Sequence, residues 1–286
     1  MMNAYLLIVL CFSTFCLQTV KGSIIRALVE DTSQEHTLYH VKILDSEIDE
    51  IESGKKYNFR VGLGDQSDQY VGREIHANAV FYLNRWHLES IFPITGVGSK
   101  AYNDLNEKFH LMVKPMSRRN FVKEEDYVIT FSGINQEGDF FQFKDFLGKV
   151  VVINFIFTRC QAMEMCPAST MRMSLLQDKA REMGLDGLHL LSITFDPEYD
   201  SPGILKQYAK SYDIEFDTFT FMTAKPLWVE DLMRYFGIIT MVQDGTINHS
   251  MATLLIDQKG RIHYRKEGSV WNVGDFLSRA QKLLKK

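Results

Sequence analysis

Cysteine is scarce in this sequence, with four residues among 286. Cys11 and Cys16 fall within the first 22 residues, so the rest of the chain holds only Cys160 and Cys166. A disulfide closing so short a loop would contribute roughly 2 kcal/mol by chain-entropy reasoning, and a chain of this size has core enough without it. The scarcity argues against a fold that depends on disulfides. It indicates that Cys160 and Cys166 have a chemical role.

Long runs of Lys or Arg are also missing, and the formal net charge is -4. Electrostatics therefore give no reason to expect a nucleic-acid partner. Hydrophobic residues make up 45% of the chain and charged residues 24%, which excludes a disordered or collagen-like protein. The composition is typical of a soluble globular protein with one large core or two modest ones.

No apolar run is long enough to span a bilayer comfortably. The run from Ala4 to Leu17 is followed by Gly22, and this pattern resembles a secretory signal peptide over residues 1–22. We therefore expect an exported, periplasmic or otherwise extracytoplasmic protein. Lys and Arg are absent before the run, so an uncleaved membrane anchor is an alternative interpretation of this segment. The bulky residues Leu10 and Phe15 before the two early cysteines argue against lipoprotein cleavage.

The remaining sequence divides into three parts by its patterns. Residues 23–93 alternate short β-like runs with turns and predict a small β domain. Residues 94–125 lack a clear period and are interpreted as a linker with one short helix. Residues 126–286 alternate strands with helices, which predicts an α/β fold of the thioredoxin-like kind.

The two cysteines flank a loop between a strand and a helix. The run "VVVINFIF" is apolar at nearly every position, as expected of a central strand, and Cys160 lies just beyond it. Cys166 directly precedes Pro167, which suits the first position of a helix. Because the start of a helix stabilises negative charge, we expect a thiolate at Cys166.

Four segments resemble the SCO/SenC copper proteins, which assist assembly of the copper centre of respiratory cytochrome oxidases. They are "FIFTRC", "CPAST", "SITFDPEYDSPGILKQYAKSY" and "NHSMATLLIDQKGRI", and they occur in the family's order. The resemblance implies copper binding by Cys160, Cys166 and His249, with Asp196 beside the site. It also implies two partners, the copper-receiving oxidase subunit and a thiol reductant protein.

The ligand chemistry agrees with this resemblance. Two thiolates and an imidazole suit Cu(I) and tolerate Cu(II), and the same thiols can cycle with a disulfide as a redox pair. The sequence does not separate copper delivery, a metallochaperone role, from reduction of the acceptor's cysteines. One departure from the family is the spacing: five residues, including Met163 and Met165, separate the cysteines where three are usual. These methionines are more simply interpreted as packed or exposed than as ligands.

Two other thiol chemistries fit the sequence less well. A peroxidase of the peroxiredoxin type needs Thr three residues before its cysteine, where this chain has Phe157 and Met163. A thioredoxin-type oxidoreductase would have two residues between its cysteines, so it remains only as the alternative of a general extracytoplasmic thiol–disulfide oxidoreductase.

Simpler roles exist for the other residues. Asp200 or Ser201 is expected to cap the helix that follows, whereas Asp196, at a strand end, is expected to orient the site. Of the remaining histidines, only His76 and His87 are considered further as candidate functional residues.

Overall fold

The computed structural model describes residues 23–117, 120–243 and 246–285. The predicted signal peptide, residues 1–22, lies outside the described residues. Within the described ranges, no helix is both long enough and apolar enough to cross a membrane.

The first region is a closed β-barrel with the strand order β1-β2-β3-β5-β4. Its strands are β1 (Ser23–Thr32), β2 (Leu38–Ser46), β3 (Lys56–Val61), β4 (Glu74–Tyr82) and β5 (Arg85–Pro93). Along β1 the side chains of Ile25, Ala27 and Val29 are buried, while those between them are more exposed, as the two-residue period of a strand requires. The buried side chains fill the barrel with a core of their own.

The second region is built on a seven-stranded sheet with the order β14-β13-β8-β9-β10-β6-β7. Its strands are β6 (Ser132–Asn135), β7 (Phe140–Gln142), β8 (Val150–Ile156), β9 (Leu188–Thr194), β10 (Phe219–Thr223), β13 (Ala252–Ile256) and β14 (Ile262–Glu267). Strands β8, β9 and β10 run parallel, and β13 pairs antiparallel with β8. Every residue of β8 and β9 is buried, so the sheet centre is covered on both faces.

The strands of this sheet alternate with helices α2 (Cys166–Glu182), α3 (Pro202–Lys210), α4 (Pro226–Phe236) and α5 (Val273–Leu284). The alternation of strands and helices confirms the predicted α/β fold class preceded by a β region. Strand β6 begins at Ser132, whereas Tyr127 is exposed and makes just an isolated bridge to Arg261.

The segment interpreted as a linker contains a long helix, α1 (Ser99–Val113), that packs on the sheet region. Its Phe109 and Val113 belong to the same buried cluster as β8 and β9. The side-chain amide of Asn106 donates to the Ser132 carbonyl at 2.9 Å, and its oxygen accepts from the Ser132 N–H at 3.0 Å. Residues 99–113 are thus part of the larger core, and the division into domains stays a prediction.

The barrel meets the sheet region at the start of α3. The short helical turn Leu63–Asp65 packs there, and a side chain built on Gly203 would collide with the Asp65 carboxylate. Nearby, Arg73 donates to the Gly138 carbonyl at 2.8 Å. Only glycine at position 203 permits the close approach of the Asp65 carboxylate to α3.

Candidate metal centre

The two cysteines lie at the carboxyl end of the central strand. β8 ends at Ile156, a loop follows, and α2 begins at Cys166. Cys160, within the loop, is half-buried, whereas Cys166 is fully buried, and both are free thiols. The one polar side chain of β8, Asn154, donates to Ser169 of α2 at 3.0 Å, which fixes the helix against the strand.

His249 reaches the cysteines from a hairpin that the sequence patterns did not predict. Strands β11 (Thr240–Gln243) and β12 (Thr246–His249) pair antiparallel, and His249 ends the second strand. Its Nε2 lies 3.5 Å from the Cys166 Sγ. The imidazole packs against the Phe157 and Phe195 rings, with centroid distances of 5.6 and 4.5 Å.

The orientation of His249 leaves one ring nitrogen available as a ligand. Its Nδ1 lies 3.1 Å from the Ser250 carbonyl oxygen, which can only accept a hydrogen bond. Nδ1 therefore carries the proton in the neutral ring, and the lone pair of Nε2 faces the sulfurs. A backbone carbonyl that fixes the tautomer in this way is the usual support of a metal-binding histidine.

The three ligand atoms, two sulfurs and one nitrogen, all lie within 4.8 Å of one another. Sulfur ligands about 2.3 Å from an ion in trigonal geometry are roughly 4 Å apart, so small movements suffice to enclose a metal. The structure brings Cys160, Cys166 and His249 together, and the donor set fits a soft ion.

The two thiols differ in acidity. A hydrogen bond from Cys166 lowers the pKa of Cys160 to about 5, and backbone hydrogen bonds with Cys166 and Ala162 add to this effect. The same hydrogen bond, together with burial, raises the pKa of Cys166. The pair therefore holds a thiolate at Cys160 and a proton at Cys166.

This assignment differs from the sequence expectation of a thiolate at Cys166. Cys166 is the first residue of α2, but its side chain is fully buried, and burial disfavours the charged form. A backbone hydrogen bond with Cys166 contributes instead to the lowered pKa of Cys160. The start of the helix stabilises the thiolate of the neighbouring cysteine.

Asp196 lies at the end of β9 and contacts the cysteine loop through Arg159. The guanidinium of Arg159 donates to the Asp196 carboxylate at 2.9 and 2.6 Å and also stacks over the Tyr199 ring at 4.5 Å. Arg159 directly precedes Cys160. Asp196 thus contacts the loop at the residue before the first cysteine.

Asp200 has a different place from the predicted helix cap. Its buried carboxylate accepts hydrogen bonds from the backbone and hydroxyl of Thr158 and from the Thr194 hydroxyl. Ser201 occupies the N-cap position of α3 without a side-chain hydrogen bond to the helix. Asp200 therefore ties the cysteine loop to the end of β9, and burial raises its pKa to about 6. The spacing of two aspartates in "DPEYD" was the only sequence signal for this role.

The comparisons with known proteins agree with this geometry. A family model described as SCO1/SenC matches residues 120–273. The chain belongs to the SCO1/SenC family. Over 136 residues it is 36% identical to the SCO1 protein homolog of Bacillus subtilis, covering 46% of this chain and 69% of that protein. It is 28% identical over 172 residues to the SCO2-like protein of Rickettsia felis, covering 57% and 82%.

Solved structures of the family share the fold. A SCO1/SenC family lipoprotein from Bacillus anthracis is 29% identical, with a TM-score of 0.51, covering 57% of this chain and 98% of that one. BsSco, described as a member of the Sco family of cytochrome c oxidase assembly proteins with a disulfide switch, is 26% identical, with a TM-score of 0.51 and coverages of 58% and 98%. Each of these solved chains is covered almost completely by somewhat more than half of this chain.

Two methionines and two histidines complete the set of candidate residues. Met163 is 71% exposed in the loop between the cysteines, and Met165 is half-buried. His76 stacks on Phe92, and His87 stacks on Tyr82, both in the barrel. Among the described residues, neither histidine joins a cluster able to hold a metal ion.

Proposed function

We propose that this chain is an exported protein that binds one copper ion through Cys160, Cys166 and His249 and acts in cytochrome oxidase assembly. The observation that carries the proposal is the convergence of two sulfurs and one imidazole nitrogen within 4.8 Å. Membership of the SCO1/SenC family supports copper as the ion and the copper-receiving oxidase subunit as the partner. Copper is the cargo that the site takes up and releases.

The donor set suits such a cargo. Thiolates are soft ligands that select Cu(I), and an added imidazole makes Cu(II) acceptable. Cys160 and His249 are half-buried and leave one side of the site open to an acceptor, while the fully buried Cys166 holds the inner side. Release is favoured when the acceptor offers more ligands of the same kind.

The same thiols support reduction of the acceptor's cysteines. The Cys160 thiolate attacks one sulfur of an acceptor disulfide, a mixed disulfide forms, and the second acceptor sulfur leaves as a thiolate. Cys166 then loses its proton and attacks Cys160, which releases the acceptor's first sulfur and leaves a Cys160–Cys166 disulfide. Two electrons pass to the acceptor, and a thiol reductant protein restores the pair.

A general extracytoplasmic thiol–disulfide oxidoreductase is the second candidate. The observation that favours it is the unequal pair of thiols, one acidic and half-exposed and the other buried, which is typical of dithiol oxidoreductases. Such a protein would need no imidazole beside its sulfurs.

Export is supported by the signal-like sequence of residues 1–22 and by the lipoprotein nature of the Bacillus anthracis relative. Fusing residues 1–30 to a reporter enzyme that is active only outside the cytoplasm tests it. Reporter activity is expected, and an inactive fusion would contradict export.

Two parallel titrations of the reduced full chain test the function. Under anaerobic conditions, Cu(I) is titrated against a chromophoric chelator, and the thiol pair is titrated with glutathione redox buffers. We expect one tightly bound Cu(I) per chain and a reversible disulfide. Reversible thiols without copper binding would favour the oxidoreductase, and inert thiols without copper would overturn both candidates.

A further inference from the structure

A cavity of about 520 Å³ lies between the barrel and the sheet region, away from the two cysteines and His249. Strands β4 and β5 form one wall, and the segments that follow β9 and β10 form the other. Cavities of this size at domain junctions are where proteins most often bind small molecules.

The barrel wall of the cavity has an irregular backbone. His76 pairs with Phe92, but Asn78 pairs with Glu89, so β5 carries a bulge between these pairs. Ser90, within the bulge, has a φ of 51°, which is unfavourable for a residue other than glycine. Bulges and strained residues of this kind are concentrated beside binding sites, where they aim side chains.

The inner surface of the cavity is mostly apolar. Phe92 and Tyr102 are buried, and Ile134 of β6 is 3% exposed, so these side chains have fixed positions. The Phe92 ring lies almost parallel to the imidazole of His76, at 13° and with a centroid distance of 5.1 Å. A flat or chain-like apolar group fits such a surface.

One cation stands at the mouth. The Lys225 ammonium donates to the Asn103 Oδ1 at 2.9 Å and lies 4.5 Å from the centroid of the Trp228 ring, which leaves further N–H donors free for a ligand. His76, whose side chain is exposed, lines the same cavity as Lys225. Glu198, the acidic residue of the lining, is exposed to solvent.

We propose that this cavity binds a small amphipathic molecule with one carboxylate. The carboxylate lies at Lys225 and His76, where the ammonium and an imidazole N–H donate hydrogen bonds. The apolar part lies against Phe92, Tyr102 and Ile134. This site is separate from the copper site, and the proposal does not depend on copper binding.

Isothermal titration calorimetry of the full chain tests the site, with octanoate as the probe and octan-1-ol as its uncharged counterpart. We expect saturable binding of one octanoate, and weaker binding of octan-1-ol. Lys225→Met keeps the apolar stem and removes the charge, so octanoate affinity should fall about three- to tenfold, while octan-1-ol affinity changes less than about twofold. The matched control Lys282→Met, on an exposed part of α5, should change neither.

A second pair of variants tests the location. Ile24 lines the cavity and is 51% exposed, so Ile24→Trp fills the space with little risk to the core and should abolish octanoate binding. Asn78→Trp, on β4, is a second blocking variant, and Leu63→Trp is the exposed control outside the cavity. Thermal melts identify the variants that stay folded.

Three results would overturn the proposal: no saturable octanoate binding, equal octanoate affinity in the parent and Lys225→Met, or undiminished binding in a folded blocking variant.

Discussion

The SCO1/SenC region and the barrel are both well packed, but among the described residues only the first brings together a group of side chains that could hold a metal ion. In the SCO1/SenC region, a strand end, a helix start and a hairpin place Cys160, Cys166 and His249 within 4.8 Å. In the barrel, the alternating pattern serves to fill the interior, and His76 and His87 stack on aromatic rings. The family match likewise covers residues 120–273 and not the barrel. A regular pattern thus predicts a fold, whereas function has to be inferred from convergent side chains.

The two regions are nevertheless in direct contact. Asp65 of the barrel packs against Gly203 at the start of α3, and α3 follows Asp200, the residue that holds the cysteine loop. Asp65 therefore contacts the helix that follows Asp200, and it does not touch the sulfurs of the candidate metal centre.

Replacing either cysteine by serine should have the largest effect. A hydroxyl is a poor ligand for Cu(I), so Cys160→Ser and Cys166→Ser should each abolish copper binding in the anaerobic titration. Far-UV circular dichroism should be unchanged. Met163→Ala, in the same loop but 71% exposed, is the control and should bind copper like the parent. Parent-like affinity in either serine variant would disprove the dithiolate site.

Removing the barrel should affect stability according to where the cut is made. A chain starting at Gly96 keeps α1, whereas a chain starting at Asn120 loses Phe109 and Val113 from the sheet core. Loss of a buried aromatic side chain alone costs about 3–5 kcal/mol, so we expect the shorter chain to be less stable by at least about 4 kcal/mol. Urea unfolding measures the difference.

The same two shortened chains test whether the barrel and the SCO1/SenC region fold separately. Equal free energies of unfolding would mean that α1 does not support the sheet. If the chain starting at Gly96 fails to fold and bind copper, the barrel and the SCO1/SenC region form one cooperative unit.

Asp65→Asn should give a smaller, pH-dependent effect. Burial raises the pKa of Asp65 to about 7 in the folded chain, so the folded state binds a proton more tightly than the unfolded state between about pH 4 and pH 7. The parent therefore loses stability as the pH rises through this window, whereas the amide of the variant does not titrate. We expect the stability of the variant relative to the parent to rise by about 2 kcal/mol from pH 5 to pH 8.

Thermal melts across this pH range check the prediction, with the exposed Asp68→Asn as the control. Parallel stability profiles for the parent and Asp65→Asn would show that Asp65 is not buried against α3.

Much of the SCO1/SenC region could be predicted because its signals are local. The apolar run of β8, Pro167 at the start of α2, and the turn before β14 each depend on a few neighbouring residues. Gly260 in that turn has a φ of 84°, as its position in "DQKG" predicts. The two cysteines flank such local signals, so their proximity followed from the strand–loop–helix order.

The parts that the sequence did not predict depend on distant contacts. The helix α1 has a weak apolar period, and its place is fixed by Asn106 and by the hydrogen bond between His110 and Asp231, 121 residues away. The hairpin β11–β12 is short, and no pattern in the sequence distinguished it from the residues around it. The sequence predicted a helix cap at Asp200. Its hydrogen-bond partners, Thr158 and Thr194, lie in other segments of the chain, so the local sequence did not reveal them.

The most direct test of the central claim compares His249→Ala with His263→Ala, a half-buried histidine on β14. Cu(II) needs mixed nitrogen and sulfur ligation, so His249→Ala should lose the thiolate-to-copper charge-transfer absorption, while Cu(I) binding by the two sulfurs weakens only partly. Because the bound imidazole must be neutral, acid should remove the Cu(II) charge-transfer absorption from the parent and from His263→Ala. Retention of the parent's Cu(II) spectrum and pH profile in His249→Ala would contradict a three-ligand copper site.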